Sequence, residues 1–347
     1  LGLTVDTISA LSKIIVSGKV LDPDGTSSTY NGIVFPTVYD VYKVSSTLDN
    51  NNQGRIDTFN VQNNIIFKGK ATVKNGAFSF GFIVPKDISY LFGEGKISYY
   101  LANETDEGKG FYKNFKVGGT SSYFTPDNQI PTIELFLNDS NFVNGGLSNE
   151  DPLLIAVLKD ESGINTTGNG LGHDITAVLD GDNSNPIILN EFYEANIDDY
   201  TGGTVKYRLS NLTEGSHQLV AKAWDVHNNS AQTSIDFTVA SSGALKLDHV
   251  LNYPNPFSTN TKFYFEHNYY SSSVDVRIQI FTISGKLVKT INQVVTGNGN
   301  LKGNGIAWDG KDDYGDKIGR GVYMYRLEVQ SSDGLQDSKI EKLVILN

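Results

Sequence analysis

The sequence predicts an all-β chain of three consecutive antiparallel β-sandwich domains of immunoglobulin-like type. Three observations favour this class. Short segments alternate apolar and polar residues, as in VDVRIQIF at 274–281, which is typical of strands with one buried face. Glycine accounts for 35 of the 347 residues. This is a larger share than the roughly 7% that is usual, and it favours tight turns. Extended patterns of apolar residues spaced three and four apart are nearly absent, so we expect almost no helix.

The first predicted domain covers residues 1–125. Its strand candidates are KIIVSGKV, IVFPTVYDV, IIFKGKATV, AFSFGFIV, KISYYLA and FYKNFKV. In the fourth, Phe78, Phe80 and Phe82 fall on one face at period two, so that face is expected in a core. The Asn-Gly pair at 75–76 is typical of a two-residue hairpin. We expect a sandwich of six to eight strands.

The second predicted domain covers residues 126–240, after a linker with two prolines at 118–132. Seven candidate strands follow one another in it: TIELFL, LLIAVLK, DITAVLD, PIIL, GTVKYRLS, HQLVAKAW and QTSIDFTV. Seven short strands in a segment of this length indicate an immunoglobulin-like sandwich without its disulfide. A second linker, ASSGALK at 240–246, leads to the third domain.

The third predicted domain, residues 247–347, opens with LNYPNPF. Pro254 and Pro256 fix φ and remove two amide donors, so this segment is expected to run extended at a domain edge. Strands are predicted at VDVRIQIF, GVYMYRLEV and KLVIL, with a turn at 284–286. Tyr323 and Tyr325 share one face of their strand, which favours packing in the core over a binding surface.

The motifs of this last segment carry a family resemblance. YPNPF, ISGKLVKT, WDGKDDYGDKIGRGVYMYRLEV and EKLVILN resemble, in this order, the C-terminal sorting domain of the type IX secretion system of Bacteroidetes. WDGKDDYG alone is also similar to the immunoglobulin-like part of flagellar hook-capping proteins. Upstream, DESGINTTGNGLGHDITAVLDGD and HQLVAKAWDVHNNS resemble the gingipain-like cell-surface sortases of that system. Nearly the whole chain takes part, and the first 120 residues resemble the family least.

The resemblance implies a function for the parent protein. Such a sortase is a cysteine endopeptidase that removes the sorting domains of secreted cargo and couples the cargo to lipopolysaccharide. Its catalytic Cys and His belong to an earlier domain, and no residue of this chain matches them. The chain would then be a non-catalytic scaffold at the outer face of the outer membrane. The implied partners are a shuttle barrel of the PorV type, other attachment-complex proteins and cargo sorting domains.

The resemblance also implies where a partner would bind. The sorting-type domain of these sortases is expected to be retained and to dock on the barrel. The extended proline-containing segment and the final strand would present backbone and aromatic anchors. The positions that match are Tyr253, Pro254, Asn255, Pro256, Phe257, Gly285, Lys286, Gly321, Val322, Tyr323, Lys342, Leu343, Val344 and Ile345.

Composition excludes several other classes of function. The chain has no cysteine, so a thiolate zinc site, a disulfide framework and a cysteine nucleophile are absent from these residues. A net charge of −11 without a basic stripe argues against nucleic acid as a partner. The longest apolar run, LLIAVL, is far shorter than the ~20 residues of a membrane span. Because the chain starts at Leu1 and its single methionine is Met324, we expect a part of a longer protein.

No catalytic constellation, cofactor site or metal site is predicted with a defined motif. The five histidines lack metal-ligand spacing and are expected at the surface or in turns. Two acidic turns have the hard oxygen ligands that calcium needs, Asp180 with Asp182 and Asp309 with Asp313. Neither fits the twelve-residue calcium loop. Solvated acidic turns are the favoured interpretation, and calcium stays open.

Two rival functions remain from the sequence. One is a secreted adhesin or other cargo protein whose sorting domain is cut off on export, which predicts cleavage near residues 240–246. The other makes the first two domains carbohydrate-binding modules, which would need exposed aromatic platforms. The sortase-like segment GINTTGNGLGHD argues against the first rival.

Overall fold

The computed structural model describes residues 6–50, 54–167, 172–241, 244–269, 273–296 and 305–346. Regular structure in these residues is almost entirely β-strand, and the helical structure among them is one 3-10 turn at Asn190–Phe192. The predicted all-β class of antiparallel sandwiches is confirmed. Within the same ranges, no helix has the length and apolar character to cross a membrane. Most of the GNGLG segment lies outside the described residues.

The contacts between residues divide the chain into two compact units. The first unit consists of Leu1–Leu135, Ala156–Lys206 and Val220–Thr233, and the second of Phe136–Ile155, Tyr207–Leu219 and Ser234–Asn347. The strands form three sequential sets, since each sheet draws its strands from one set. The three predicted domain boundaries stay a prediction.

The first set of strands forms two larger sheets and two two-stranded sheets. Its strands are β1 (Thr7–Ala10), β2 (Lys13–Lys19), β3 (Gly32–Tyr39), β4 (Lys43–Ser46), β5 (Thr58–Val61), β6 (Ile65–Lys68), β7 (Ala71–Val73), β8 (Ala77–Ile83), β9 (Gly93–Glu94), β10 (Lys96–Ala102), β11 (Glu107–Tyr112) and β12 (Lys116–Thr120). The sheets are β11-β10-β3-β6, with β7 also on β3, and β1-β12-β9; β2 pairs with β8 and β4 with β5. Phe80 and Phe82 are buried as their alternation predicts, and Phe67 stacks on Phe82 at 4.4 Å.

Two predicted strands of this set are each divided between two strands in the structure. FYKNFKV contains the end of β11 and the start of β12. IIFKGKATV is divided into β6 and β7, which both pair with β3. At the break, the Gly69 N–H donates to the Pro36 carbonyl at 3.1 Å. Pro36 has no N–H to return, so the ladder is interrupted there.

The middle set forms two sheets, with orders β13-β15-β19-β18 and β14-β21-β20-β16-β17. Two of its nine strands were not predicted, because β14 has two residues and β18 has only two apolar side chains to alternate. The strands are β13 (Thr132–Leu137), β14 (Leu147–Ser148), β15 (Leu153–Lys159), β16 (Thr176–Leu179), β17 (Ile187–Ile188), β18 (Tyr193–Asn196), β19 (Asp199–Arg208), β20 (Gly215–Trp224) and β21 (Ser230–Val239).

The last set forms a C-terminal β-sandwich of two sheets. Its strands are β22 (Leu247–Tyr253), β23 (Thr261–His267), β24 (Val274–Thr282), β25 (Leu287–Val295), β26 (Ile306–Trp308), β27 (Gly321–Ser331) and β28 (Gln336–Ile345). The sheet orders are β22-β23-β26 and β25-β24-β27-β28. Alternate residues of β24 and β27 face the core, among them Ile278 and Leu327, which have no exposed surface. Phe263 and Trp308 of the other sheet join this core.

Candidate functional site

The residues predicted to bind a partner come together at one end of the C-terminal β-sandwich. Thr282, the last residue of β24, pairs with Tyr323 of β27, and Gly321 at the start of β27 pairs with Ile345 of β28. The turn that contains Gly285 joins β24 to β25 at this same end, and its N–H donates to the Thr282 carbonyl at 2.9 Å. Three segments far apart in sequence are therefore neighbours.

The YPNPF segment lies along β28, which is the edge strand of its sheet. Asn255 donates from Nδ2 to the Lys342 carbonyl and accepts the Val344 N–H on Oδ1, both at 3.0 Å. Phe257 continues the pairing, because its N–H donates to the Val344 carbonyl at 3.1 Å and its carbonyl accepts the Leu346 N–H at 2.9 Å. The segment thereby covers this end of an otherwise open edge.

Two buried polar side chains hold the same segment from below. The Thr261 hydroxyl donates to the Pro254 carbonyl at 2.9 Å, and Asn252 Nδ2 donates to the Thr261 oxygen at 3.1 Å. Asn252 and Thr261 are 5% and 1% exposed. Because these bonds fix the backbone, Tyr253 stands on a rigid support.

The predicted site residues divide into core, half-buried and surface members, and the half-buried ones are Gly321, Tyr323 and Val344. Phe257, Leu343 and Ile345 are at most 4% exposed and belong to the core, so they cannot present side chains to a partner. Tyr253 is 70% exposed and Val322 is 40% exposed. The other exposed members are Pro254, Asn255, Pro256, Gly285, Lys286 and Lys342. We call the exposed members the docking surface.

Three carboxylates of the two acidic turns considered for calcium accept hydrogen bonds within their own turn, whereas Asp313 forms an ion pair with Lys289 of β25 at 3.3 Å. Asp312 Oδ1 accepts two backbone N–H groups at 2.9 Å, and Asp309 Oδ1 accepts the Lys311 N–H at 3.1 Å. Asp182 accepts from Asn185 Nδ2 at 2.9 Å and from Ser184, and these hydrogen bonds lower the pKa of Asp182. Such bonds are typical of acidic turns and support that interpretation.

The expectation of histidines at the surface or in turns is wrong at His267, whereas His227 does lie in a turn. His267 is 1% exposed in β23, and burial lowers its pKa to about 4. The sequence contains a signal for this, because Phe263, Phe265 and His267 alternate on one face. The His227 side chain is 8% exposed, in the turn after β20.

A buried acidic cluster was not predicted at all. Ligand atoms of Asp127, Asp225 and His227 all lie within 4.8 Å of one another. Asp160 is close enough for the negative charges of Asp225 and Asp127 to act on it. These residues belong to connections that are distant in sequence, so spacing could not bring them together. The available signal was an aspartate directly after each of two apolar strands, in LLIAVLKD and HQLVAKAWD.

Comparison with known proteins gives a similarity with substantial sequence identity. No protein-family model matches the chain, and neither does any curated protein. Dimeric latent PorU from Porphyromonas gingivalis matches 99% of this chain at 34% identity, with a TM-score of 0.41. The chain covers 32% of that PorU chain, so it spans about a third of its length.

Two other solved structures are much less similar. Fibronectin(III)-like modules of Clostridium thermocellum CbhA match 62% of this chain and 93% of their own at 11% identity, with a TM-score of 0.23. A bacterial ice-binding adhesin matches 98% of this chain and 94% of its own at 13% identity, with a TM-score of 0.22. Such values support no argument about function.

The PorU similarity rests on sequence identity rather than on superposition. The match to PorU covers 99% of the chain at 34% identity, so it includes the motifs of the C-terminal β-sandwich. The chain has no cysteine, so it contains no cysteine nucleophile. The chain is therefore similar to PorU over nearly all of its own length, which is consistent with the C-terminal region of that protein.

Proposed function

We propose that this chain is the C-terminal scaffold of a type IX cell-surface sortase, and that its docking surface holds the enzyme on an outer-membrane barrel of the PorV type. The whole enzyme would remove sorting domains from cargo and attach the cargo to lipopolysaccharide at the outer face of the outer membrane. PorU similarity supports this proposal. The catalytic residues would come from the part of PorU that this chain does not span.

The exposed Tyr253 on its rigid support is the observation that carries the docking proposal. A tyrosine supplies a large apolar contact with few rotatable bonds, and such residues dominate the binding energy of many interfaces. Its backbone is fixed by Thr261 and Asn255 before any partner binds. Little conformational entropy would be lost on binding, which favours affinity.

The charge of the docking surface suits an acidic partner loop. Lys286 and Lys342 are both exposed at this end, in a chain whose net charge is −11. Local positive charge on an acidic protein would orient the encounter more than it would add affinity. Val322 adds an apolar contact beside these lysines.

The second linker supports retention of the C-terminal β-sandwich over its removal. Asn268, which is 2% exposed, donates from Nδ2 to the carbonyls of Ser241 at 3.0 Å and Ala244 at 2.8 Å. Its Oδ1 accepts the Lys246 N–H at 2.8 Å. A peptidase needs a segment that can leave its contacts, and Asn268 holds three residues within the 240–246 segment where the cargo alternative requires cleavage.

Binding to the purified barrel in detergent tests the docking proposal. Tyr253→Ala in the full chain should weaken binding by about tenfold or more, as expected for an interface anchor. Tyr123→Ala is the matched control, because Tyr123 is 92% exposed and lies outside the C-terminal β-sandwich. Equal affinity of the two variants would contradict the proposal. Cleavage within residues 240–246 without barrel binding would favour the cargo alternative.

A further inference from the structure

Three connections of the chain converge on the buried acidic cluster. Asp127 lies between β12 and β13, Asp160 follows β15 directly, and Asp225 and His227 lie in the turn between β20 and β21. Asp160 is 3% exposed and Asp225 has no exposed surface. The side chains of Asp127 and His227 are each 8% exposed. The cluster is therefore an interior feature and differs from a solvated acidic turn.

Hydrogen bonds from backbone N–H groups orient two of these carboxylates. Asp225 Oδ1 accepts the N–H groups of His227 at 2.9 Å and Asn229 at 2.7 Å, and Oδ2 accepts from Asn229 Nδ2 at 2.7 Å. Asp127 accepts the Gln129 N–H on Oδ1 at 2.9 Å and the Ser162 hydroxyl on Oδ2, so each oxygen accepts one hydrogen bond from these two groups. A carboxylate oxygen that accepts one hydrogen bond retains a lone pair for a further interaction. Both side chains are oriented and still able to ligate.

Two other groups at the cluster have unused polar atoms. Asp160 Oδ2 is buried and has no hydrogen-bond partner in the described part of the chain. Neither ring nitrogen of His227 has one there either, and Nδ1 lies 3.8 Å from Asp127 Oδ2. Buried polar atoms almost always have a partner, since leaving one unpaired costs about 1–3 kcal/mol. The missing partner must interact with carboxylate oxygens and an imidazole nitrogen together.

The charge of the cluster points to the same missing partner. Among the ion pairs formed by described residues, none joins a lysine or arginine to Asp127, Asp160 or Asp225. Buried negative charge needs a compensating positive charge.

We propose that a divalent cation binds between Asp127, Asp160, Asp225 and His227 and ties the three connections together. The separation of at most 4.8 Å between the ligand atoms of Asp127, Asp225 and His227 suits this role, since bonds of about 2.0–2.6 Å to one ion would place ligands at such distances. The bound ion would fix the segment that leads from β12 into β13.

The donor set limits the identity of the ion. Carboxylates alone suit Ca²⁺ or Mg²⁺, whereas a nitrogen ligand from His227 favours Mn²⁺ or Zn²⁺. His227 has no other partner for its ring nitrogens among the described residues. We therefore assign the imidazole of His227 as a ligand. Binding of Ca²⁺ without participation of His227 would show that His227 is not a ligand.

Calorimetric titration of the chelator-treated full chain with CaCl2, MnCl2 and ZnCl2 in turn tests the site. We expect one ion per chain for at least one metal, together with a higher melting temperature. Asp160→Asn should weaken binding about tenfold or more. It should also stabilise the metal-free protein, because it removes a charge from the cluster. His227→Gln should weaken Mn²⁺ and Zn²⁺ binding.

Controls separate this site from ordinary surface acidity. Asp182→Asn and Asp309→Asn change the two acidic turns and should leave binding as in the wild type. Circular dichroism confirms that each variant is folded. If Asp225→Asn fails to fold, Asp160→Asn still tests the proposal. This variant keeps the Oδ1 that accepts the Ser162 N–H at 2.8 Å. The proposal is overturned when no metal binds, or when Asp160→Asn binds as tightly as the wild type.

Discussion

Two tyrosines of β27 differ in what their hydroxyl groups contact. Tyr323 donates to the Gly319 carbonyl at 2.8 Å. Tyr325 has no exposed surface, its ring meets Phe263 edge-on at 4.8 Å, and its hydroxyl has no hydrogen-bond partner among the described residues. Burial accordingly raises the pKa of Tyr325 above its usual value. The buried ring of Tyr325 stabilises the fold, whereas its buried hydroxyl without a hydrogen-bond partner destabilises it.

Tyr325→Phe should therefore stabilise the protein by about 1 kcal/mol, since it removes an unpaired buried hydroxyl. Tyr323→Phe is the matched control, and loss of its hydrogen bond should destabilise by up to about 1 kcal/mol. Urea unfolding followed by tryptophan fluorescence measures both. A Tyr325→Phe variant less stable than the wild type would mean that the hydroxyl has a partner, such as a buried water.

His267 should make the stability of the C-terminal β-sandwich depend on pH. Burial lowers its pKa to about 4, whereas in the unfolded chain it would be about 6.5. Above pH 6.5 the imidazole is neutral in both states and contributes no pH dependence. Between pH 6.5 and 4 the unfolded state binds the proton more readily, so stability falls as pH falls, by about 3 kcal/mol in all.

The comparison with His267→Gln isolates this effect from other titrating groups. The variant should have a lower stability at pH 7 and a smaller decrease between pH 6.5 and 4. Unfolding free energies at several pH values measure the difference. Parallel pH profiles of the two proteins would show that His267 is protonated as easily in the folded state as in the unfolded state.

At the level of elements, alternation predicted most of the strands correctly. VDVRIQIF and GVYMYRLEV became β24 and β27 with the predicted faces buried. The break between β6 and β7 was missed because its cause, Pro36, lies in the partner strand. Period-two patterns describe one strand at a time, so Gly69 at the break was the local signal of an interruption whose cause lies in the neighbouring strand.

The candidate sites show the same limit more strongly. Motif resemblance named Tyr253 and Gly285 among the partner-binding residues, yet it could not tell that Phe257 and Ile345 face the core. The cluster of Asp127, Asp160 and Asp225 escaped prediction because the pairing of distant connections depends on the whole fold. Local spacing reveals a metal site only when the ligands share one loop or helix.

The second linker offers a prediction about an element connection. Asn268→Ala would release the carbonyls of Ser241 and Ala244 and the Lys246 N–H, so residues 240–246 should become easier to cut. Limited proteolysis with mass measurement of the fragments measures the rate of cleavage within residues 240–246. Asn292→Ala, on an exposed position of β25, is the control. Equal cleavage rates of both variants would show that the Asn268 hydrogen bonds do not protect the linker.

At the level of the whole molecule, the sheets form a scaffold without a catalytic cysteine. The docking proposal assigns to the C-terminal β-sandwich the role of holding the enzyme at the membrane. The proposed cation site serves a different purpose, because it would stiffen the connection around Asp127. The two roles can be separated, since one depends on residues 247–347 and the other on residues outside them.

Deletion of residues 247–347 from the whole protein should move it from the membrane fraction to the culture medium of the producing cells, because the barrel contact is lost. Asp160→Asn is the control, since it alters the proposed cation site and leaves the docking surface intact; it should stay with the membranes. Fractionation with immunoblotting measures both, and intact mass shows whether the wild type keeps its C-terminus. Retention of the truncated protein at the membrane would place the anchor elsewhere, and a wild type cut near residues 240–246 would identify exported cargo.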